Sequence, residues 1–205
     1  ILTLKKINPI FNSSKFILEE GKYIVGREVE KMSKSKHNVV NPDEICQKYG
    51  ADTLRMYEMF LGPIDQDKPW NTEGITGVHN FLNKLWKLFY NGTEFIVNDE
   101  SPSSKSLRVL HKSIKKINED IERFSFNTCI STFMICVNDL TSLKCQSKNI
   151  LEPLIILLSP FAPHISEEIW SILGNKESIE HIPYPKFNPK FIQEFKKNYP
   201  ISFNG

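Results

Sequence analysis

One segment restricts the fold more than any other, because its apolar residues recur at spacings of three and four positions. This spacing places them all on one face of an α-helix. A helix with a single apolar face has to pack that face on other elements. We therefore expect a mainly α chain with a shared helical core. The residues are Leu107, Leu110, Ile114, Ile117 and Ile121.

Helical patterns also flank this segment. Asn71 and Thr72 precede a long helix with Ile75, Val78, Leu82, Leu85, Trp86 and Phe89 on one face, and Ser101-Pro102 opens the segment described above. Asn127 to Leu143, Ile150 to Leu158 and His164 to Leu173 follow. About four principal helices therefore form a bundle.

The part before residue 70 is less regular. Residues 15 to 29 alternate apolar and polar around Gly21, which predicts a hairpin. Asn41 offers an N-cap, and Pro42 fits the first position of a short helix that ends at Gly50. Residues 51 to 61 have the composition of a second helix.

Bulk properties exclude several classes of protein. The net charge of +2 is too small to indicate nucleic-acid binding by itself. The four cysteines form no CxxC pair, so neither a zinc site nor a disulfide framework is predicted. The sequence has no signal peptide and no membrane span, and we expect a cytoplasmic protein without a metal site.

The basic loop from Lys31 to Lys36 carries the clearest chemistry. It places three ammonium groups and two hydroxyls within six residues. Such a loop can bind a polyphosphate, since its lysines meet phosphate oxygens while hydroxyls and backbone amides donate hydrogen bonds. The alternative is a solvated basic turn.

The string KMSKS and the following NVVNPDEICQKYGADTLRMYEMF resemble the class I aminoacyl-tRNA synthetases. The resemblance implies that the loop closes over ATP, which carries Mg²⁺, while an amino acid carboxylate attacks the α-phosphorus. It assigns catalysis to Lys34 and Lys31. It also implies ATP contacts from Lys31, Met32, Ser33, Lys34 and Ser35.

Two further features concern this resemblance. His37 stands where the family usually has glycine, which suggests a backbone with positive φ that histidine tolerates at some cost, or a loop that opens differently. Residues 62 to 89 and 199 to 205 resemble the leucine-specific members, and residues 159 to 174 resemble several members. Leucine and tRNA(Leu) are therefore the expected substrates, with isoleucine or valine as alternatives.

A basic stripe lies beside the apolar face of the central helix. Phosphate contacts from such a stripe give affinity without sequence choice, which suits RNA docking, and a solvated helix face is the alternative. The residues are Lys105, Arg108, Lys112, and Lys115 or Lys116.

The resemblance implies three parts. Residues 1–70 are expected to be the tail of an α/β, Rossmann-type catalytic domain, residues 71–174 a helical anticodon-binding bundle, and residues 175–205 a linker and the start of another domain. The HIGH motif and the editing domain are absent from the chain, so we expect an inactive fragment of a monomeric enzyme that needs its N-terminal parts. A non-catalytic tRNA-binding module is the alternative from another class.

Overall fold

The computed structural model describes residues 2–7, 9–24, 26 and 28–193. The chain divides into two compact units, residues 1–40 and residues 41–205. Its regular structure is mainly helical, which confirms the predicted fold class.

The first unit contains little regular structure. Helix α1 spans Leu2–Ile7, and a 3-10 turn follows at Pro9–Asn12. The predicted hairpin is reduced to one antiparallel bridge between Glu19 and Lys22, whose N–H groups each donate to the other's carbonyl at 2.9 Å. Val25 and Arg27 of the predicted hairpin lie outside the described residues.

The second unit begins with the two predicted short helices. Helix α2 spans Pro42–Tyr49, and the side chain of Asn41 accepts from the Asp43 N–H at its start. Gly50 follows with φ +88°, a value that glycine adopts without strain. Helix α3 then spans Ala51–Phe60.

Helix α4 spans Ile75–Trp86, after a 3-10 turn that Asn71 caps. The apolar spacing predicted a helix as far as Phe89, but α4 ends at Trp86 and the chain enters a small hairpin at Tyr90. Strands β1 (Tyr90–Asn91) and β2 (Glu94–Phe95) pair antiparallel around Gly92, which has φ +63°. The two-residue loop Gly92-Thr93 begins with a glycine at positive φ, a hairpin turn signal that the prediction did not use.

The remaining helices agree with the predicted segments to within a few residues. Helix α5 starts at Ser104 rather than near Pro102, because the Ser103 side chain caps it by accepting from the Ser106 N–H. The helices are α5 (Ser104–Glu122), α6 (Phe126–Ser142), α7 (Lys148–Leu158) and α8 (Pro163–Ile172).

The core of the second unit lies among these helices. Helix α7 has one fully buried apolar face, and its residues Glu152, Pro153 and Ile156 on the other side are half-buried. Helix α5 buries Leu110, Ile114 and Ile117 against α6 and α7. The apolar face of α5, from Leu107 to Ile121, therefore packs on the core.

The segment after α8 packs on the bundle as far as it is described. The Tyr184 hydroxyl donates to the Leu157 carbonyl at 2.8 Å, and the Trp170 indole N–H donates to the Glu177 carbonyl at 2.8 Å. Residues 194–205, which include residues 199–205 of the family resemblance, lie outside the described residues. The domain boundaries near residues 70 and 174 stay predictions.

Candidate functional site

The basic loop is held in shape by one side chain that the sequence analysis did not single out. The Asn38 side-chain oxygen accepts from the Ser33 N–H at 2.8 Å, and its amide donates to the Lys31 carbonyl at 3.4 Å. Asn38 thus joins both sides of the loop. Inside it, the hydroxyls of Ser33 and Ser35 lie 2.7 Å apart, and Lys34–Lys36 forms a 3-10 turn.

The three lysines of the loop differ in their surroundings. The Lys36 ammonium pairs with the Glu30 carboxylate at 2.9 Å. Lys31 and Lys34 are exposed, and neither has an ion-pair or hydrogen-bond partner for its side chain among the described residues. Met32 is 42% exposed. The two lysines that the resemblance singles out are therefore the two that can meet an anion without breaking an ion pair.

His37 adopts the left-handed conformation that the glycine of the family suggested. Its φ is +53° and its ψ is +31°, and its N–H donates to the Lys34 carbonyl at 3.2 Å, which closes the turn. A non-glycine residue in this region costs about 1–2 kcal/mol. The first of the two alternatives for His37 is confirmed, and histidine keeps the turn at some conformational cost.

Helix α3 is attached to the corner between α7 and α8 by two polar side chains. The Asp52 carboxylate accepts from the backbone N–H groups of His164 at 3.2 Å and Ile165 at 2.7 Å, and from the His164 ring Nδ1 at 2.8 Å. Asp52 therefore caps the N-terminus of α8, where a negative charge is favoured. We call these contacts, with those of Arg55, the α3 joint.

Arg55 completes the joint one turn along α3. Its Nε and Nη2 donate to the Pro160 carbonyl at 3.2 and 2.9 Å. Asp52 and Arg55 lie three positions apart on α3, a spacing at which two side chains of one helix can pair. Each of them instead binds the corner at residues 160–165. His164 is a partner in this contact through both its backbone N–H and its ring.

The basic stripe of α5 divides into residues with different neighbours. The Lys116 ammonium pairs with the buried Asp120 carboxylate at 2.6 Å, and Arg108 donates to the Gln193 carbonyl at 3.3 Å. Lys105 and Lys112 are exposed and have no hydrogen-bond or ion-pair partner within the described part of the chain. Lys115 lies 3.9 Å from Glu119.

The described part of the chain contains no group of His, Cys, Asp or Glu side chains close enough together to hold a metal ion. Its helices are also too short or too polar for any of them to span a membrane.

Two family models match the chain. The model described as "tRNA synthetases class I (I, L, M and V)" matches residues 14–71, which include the basic loop and α3. The model described as "Anticodon-binding domain of tRNA ligase" matches residues 103–203.

The chain is also similar to curated proteins named leucine–tRNA ligase. The protein of Christiangramia forsetii is 68% identical over 98% of this chain, and that of Flavobacterium psychrophilum is 61% identical over 98%. The chain spans only 21% of the length of each of these relatives.

A solved structure resembles the fold of the chain. It is a LeuRS of Agrobacterium radiobacter in a ternary complex with tRNA and LeuAMS. The similarity has a TM-score of 0.68 at 29% sequence identity, and it covers 85% of this chain and 23% of the other.

Proposed function

The chain belongs to the class I tRNA synthetases, and from this premise we propose that it is part of a leucine–tRNA ligase, to which it contributes the ATP-phosphate loop and a tRNA-docking bundle. In the proposed reaction the leucine carboxylate attacks the α-phosphorus of ATP and pyrophosphate leaves. The leucyl group then passes from the adenylate to tRNA(Leu). The similarity to leucine–tRNA ligases favours leucine over isoleucine or valine.

The proposed ATP role rests on one observation, which is that the ammonium groups of Lys31 and Lys34 are exposed and have no ion-pair partner among the described residues. Both ammonium groups are exposed, whereas Lys36 is already paired with Glu30. Negative charge shifts onto the leaving pyrophosphate as the bond to the α-phosphorus breaks. Ammonium groups that reach this charge lower the energy of the transition state. We assign this role to Lys34 first and to Lys31 second.

The hydroxyl pair supports the same assignment. Ser33 and Ser35 each carry one hydroxyl proton, and only one of the two is needed for the hydrogen bond between them. The other proton is free to bond a phosphate oxygen. The Mg²⁺ of the proposed reaction arrives with ATP, and the loop supplies ammonium and hydroxyl donors only.

Residues 1–40 also support a site shared with further protein of the same enzyme. None of the residues in this unit whose exposure the structure describes is buried. Large apolar side chains such as Leu2, Ile17 and Val29 are 79–80% exposed. A surface of this kind is typical of one that other protein covers. We infer that ATP binding requires that additional protein, and that the enzyme acts in the cytoplasm as a monomer.

The test of the ATP role is a comparison of two lysines in the longer protein that carries this chain. Lys34→Ala should lower leucine-dependent ATP–pyrophosphate exchange by orders of magnitude. Lys36→Ala is the matched control and should have a much smaller effect, because that ammonium is neutralised by Glu30. Near-normal exchange for Lys34→Ala, or equal losses in both variants, would overturn the assignment.

For tRNA docking we propose the basic stripe, with Lys105 and Lys112 as its main contacts and Arg108 and Lys116 as weaker ones. The first two are exposed and need not leave a protein partner. Reversing both charges should reduce the slope of log affinity against log salt by about two, since each phosphate contact contributes about one.

The control for this experiment reverses two exposed lysines elsewhere, Lys144 and Lys176. It changes the net charge of the chain equally but leaves the stripe intact. If both double variants bind tRNA alike across the salt series, the stripe has no docking role.

A further inference from the structure

A second face of α5 holds the segment that follows α8. Arg108 donates to the Gln193 carbonyl at 3.3 Å, and the Lys115 ammonium lies 5.9 Å from the centre of the Phe187 ring, within the range of a cation–π contact. His111 lies between them, about one helical turn from each. We call Arg108, His111 and Lys115 the α5 clamp, and residues 187–193 the clamped segment.

His111 makes the most specific contacts of the clamp. Its ring is stacked on Phe191 with centroids 4.6 Å apart and planes 19° apart, and it meets Phe187 edge-on at 6.4 Å. The Asn188 N–H donates to His111 Nδ1 at 3.2 Å. A ring nitrogen that accepts a hydrogen bond carries no proton, so His111 is neutral in this arrangement, with its proton on Nε2.

The bond to Asn188 fixes more than one residue. The Asn188 side chain accepts from the Lys190 N–H at 3.1 Å and so starts the 3-10 turn Pro189–Phe191. This turn brings Phe191 onto the imidazole face. The stack, the turn and the Nδ1 bond therefore depend on one another.

We propose that the α5 clamp is a proton-operated latch that holds the clamped segment while His111 is neutral and releases it when the imidazole is protonated. Protonation puts an N–H on Nδ1, which then faces the N–H of Asn188. The acceptor is lost and two donors point at each other. Since the Asn188 N–H lies in a part-buried contact, leaving it without a partner is unfavourable.

The charges around His111 offer no substitute for the lost bond. The charged residues of α5 within one helical turn of His111 are Arg108, Lys112 and Lys115, while Lys190 lies on the clamped segment and Lys186 directly precedes it. Helix α7 carries Lys148 and Glu152, and α6 carries Asp139, which lines a cavity with Lys105 and Arg108 at the start of α5. Among the described residues no carboxylate bonds to the His111 ring, so no counter-ion would keep the protonated ring in place.

Burial lowers the pKa of His111 from its ordinary value of 6.5, because desolvation disfavours the charged imidazolium. The stabilising effect of the neutral ring is fully present above pH 6.5. It is lost as pH falls through the lowered pKa of the folded state. The latch is therefore closed at neutral pH and opens on acidification.

The test is an NMR pH titration of the 205-residue chain, with His111→Phe as the key variant. In the unmodified chain the Asn188 amide resonance should shift with the same midpoint as the His111 ring protons, below pH 6.5. The protection of the Asn188 amide from hydrogen exchange, corrected for the intrinsic rate, should be lower at acidic pH than at neutral pH. The total loss should be about tenfold for each unit by which the pKa of His111 is lower in the folded state than in the unfolded state. His111→Phe keeps an aromatic face for Phe191 but has no acceptor, so its Asn188 amide should be unprotected at every pH.

Two controls make the outcome decisive. His181→Phe removes an exposed histidine and should leave the Asn188 response unchanged. The Glu73 N–H, which donates to the Asn71 side chain at 2.9 Å with no histidine involved, should stay protected throughout. An Asn188 amide that ignores the His111 titration, or a pH response that persists in His111→Phe, overturns the latch.

Should His111→Phe fail to fold, the comparison of Asn188 with Glu73 in the unmodified chain decides alone. No ATP or tRNA enters the titration, so its outcome is independent of the proposed enzyme activity. The clamped segment leads directly to residues 194–205. The latch would therefore determine whether the chain that leads to the predicted following domain is held against α5 or released from it.

Discussion

Replacing Asp52 tests whether the α3 joint is a main fastening of the second unit. Asp52 is 7% exposed, and its carboxylate accepts three hydrogen bonds from the start of α8. Two of them come from backbone N–H groups that have no partner within their own helix. Losing an N-cap of this kind costs about 0.5–2 kcal/mol, and a hydrogen bond to a charged group contributes about 1.5–3 kcal/mol.

The three hydrogen bonds of Asp52 contribute unequally to the free energy of unfolding. The His164 side chain is 76% exposed, so its hydrogen bond to Asp52 competes with water and adds at most about 1 kcal/mol. The two backbone bonds, which are part-buried, account for about 2 kcal/mol together. We therefore expect Asp52→Ala to cost about 2–3 kcal/mol and Asp52→Asn, which keeps one acceptor oxygen, about 1 kcal/mol.

The assay is urea unfolding followed by circular dichroism at neutral pH. With a slope m of about 2–3 kcal/mol/M, Asp52→Ala should lower the midpoint by about 1 M without changing m. Glu58→Ala is the control, since this carboxylate lies on the same helix but is exposed and has no partner among the described residues. If both variants lose the same small amount, the joint contributes little and our reasoning about it is wrong.

Three further predictions use other local contacts. His37→Val should destabilise the loop by about 1–2 kcal/mol relative to His37→Gly, seen as faster hydrogen exchange of the Ser33 N–H, because valine tolerates positive φ poorly. Lys116→Met should lower the free energy of unfolding by about 1–2 kcal/mol, because the buried Asp120 carboxylate loses its ammonium partner. Lys112→Met, at an exposed position of the same helix, should change the free energy of unfolding by less than about 0.5 kcal/mol. A disulfide reagent near pH 8 should modify Cys46 alone in the folded chain, because Cys46 lines an open cavity of about 930 Å³. Burial raises the pKa of the Cys129 thiol to about 11 and that of the Cys136 thiol to about 12, so neither forms the reactive thiolate at this pH. Cys145 is buried and should not react.

Most of the helices could be predicted because their signals are local. Apolar spacing located α5, and an Asn-Pro start with a glycine stop located α2. The left-handed conformation of His37 could also be predicted, because the family usually has glycine at this position and glycine often marks a positive φ. The hairpin around the loop Gly92-Thr93 was missed although its turn signal is local, since its strands are too short to show alternation.

The contacts that organise the candidate sites could not be predicted in the same way. Asp52 and His164 are separated by 112 positions, and a single sequence says nothing about which distant residues meet. The spacing of Asp52 and Arg55 suggested a pair on one helix, which is a local interpretation. Asn38 was missed for a related reason: an asparagine beside a loop is common, and only its two hydrogen bonds reveal that it holds the loop together.

Helix α5 shows why a stripe of like charges has no role that can be assigned from spacing alone. Lys105, Arg108, Lys112 and Lys116 follow the same three- and four-residue steps, yet two of them already bind protein atoms. If the other two each meet one phosphate, a salt slope of about two implies only about a tenfold loss of affinity between 50 and 200 mM salt. Proteins that make six to ten such contacts lose roughly 10³–10⁵-fold over the same range. The bundle would then orient the tRNA, and most of the binding free energy would have to come from the remainder of the enzyme.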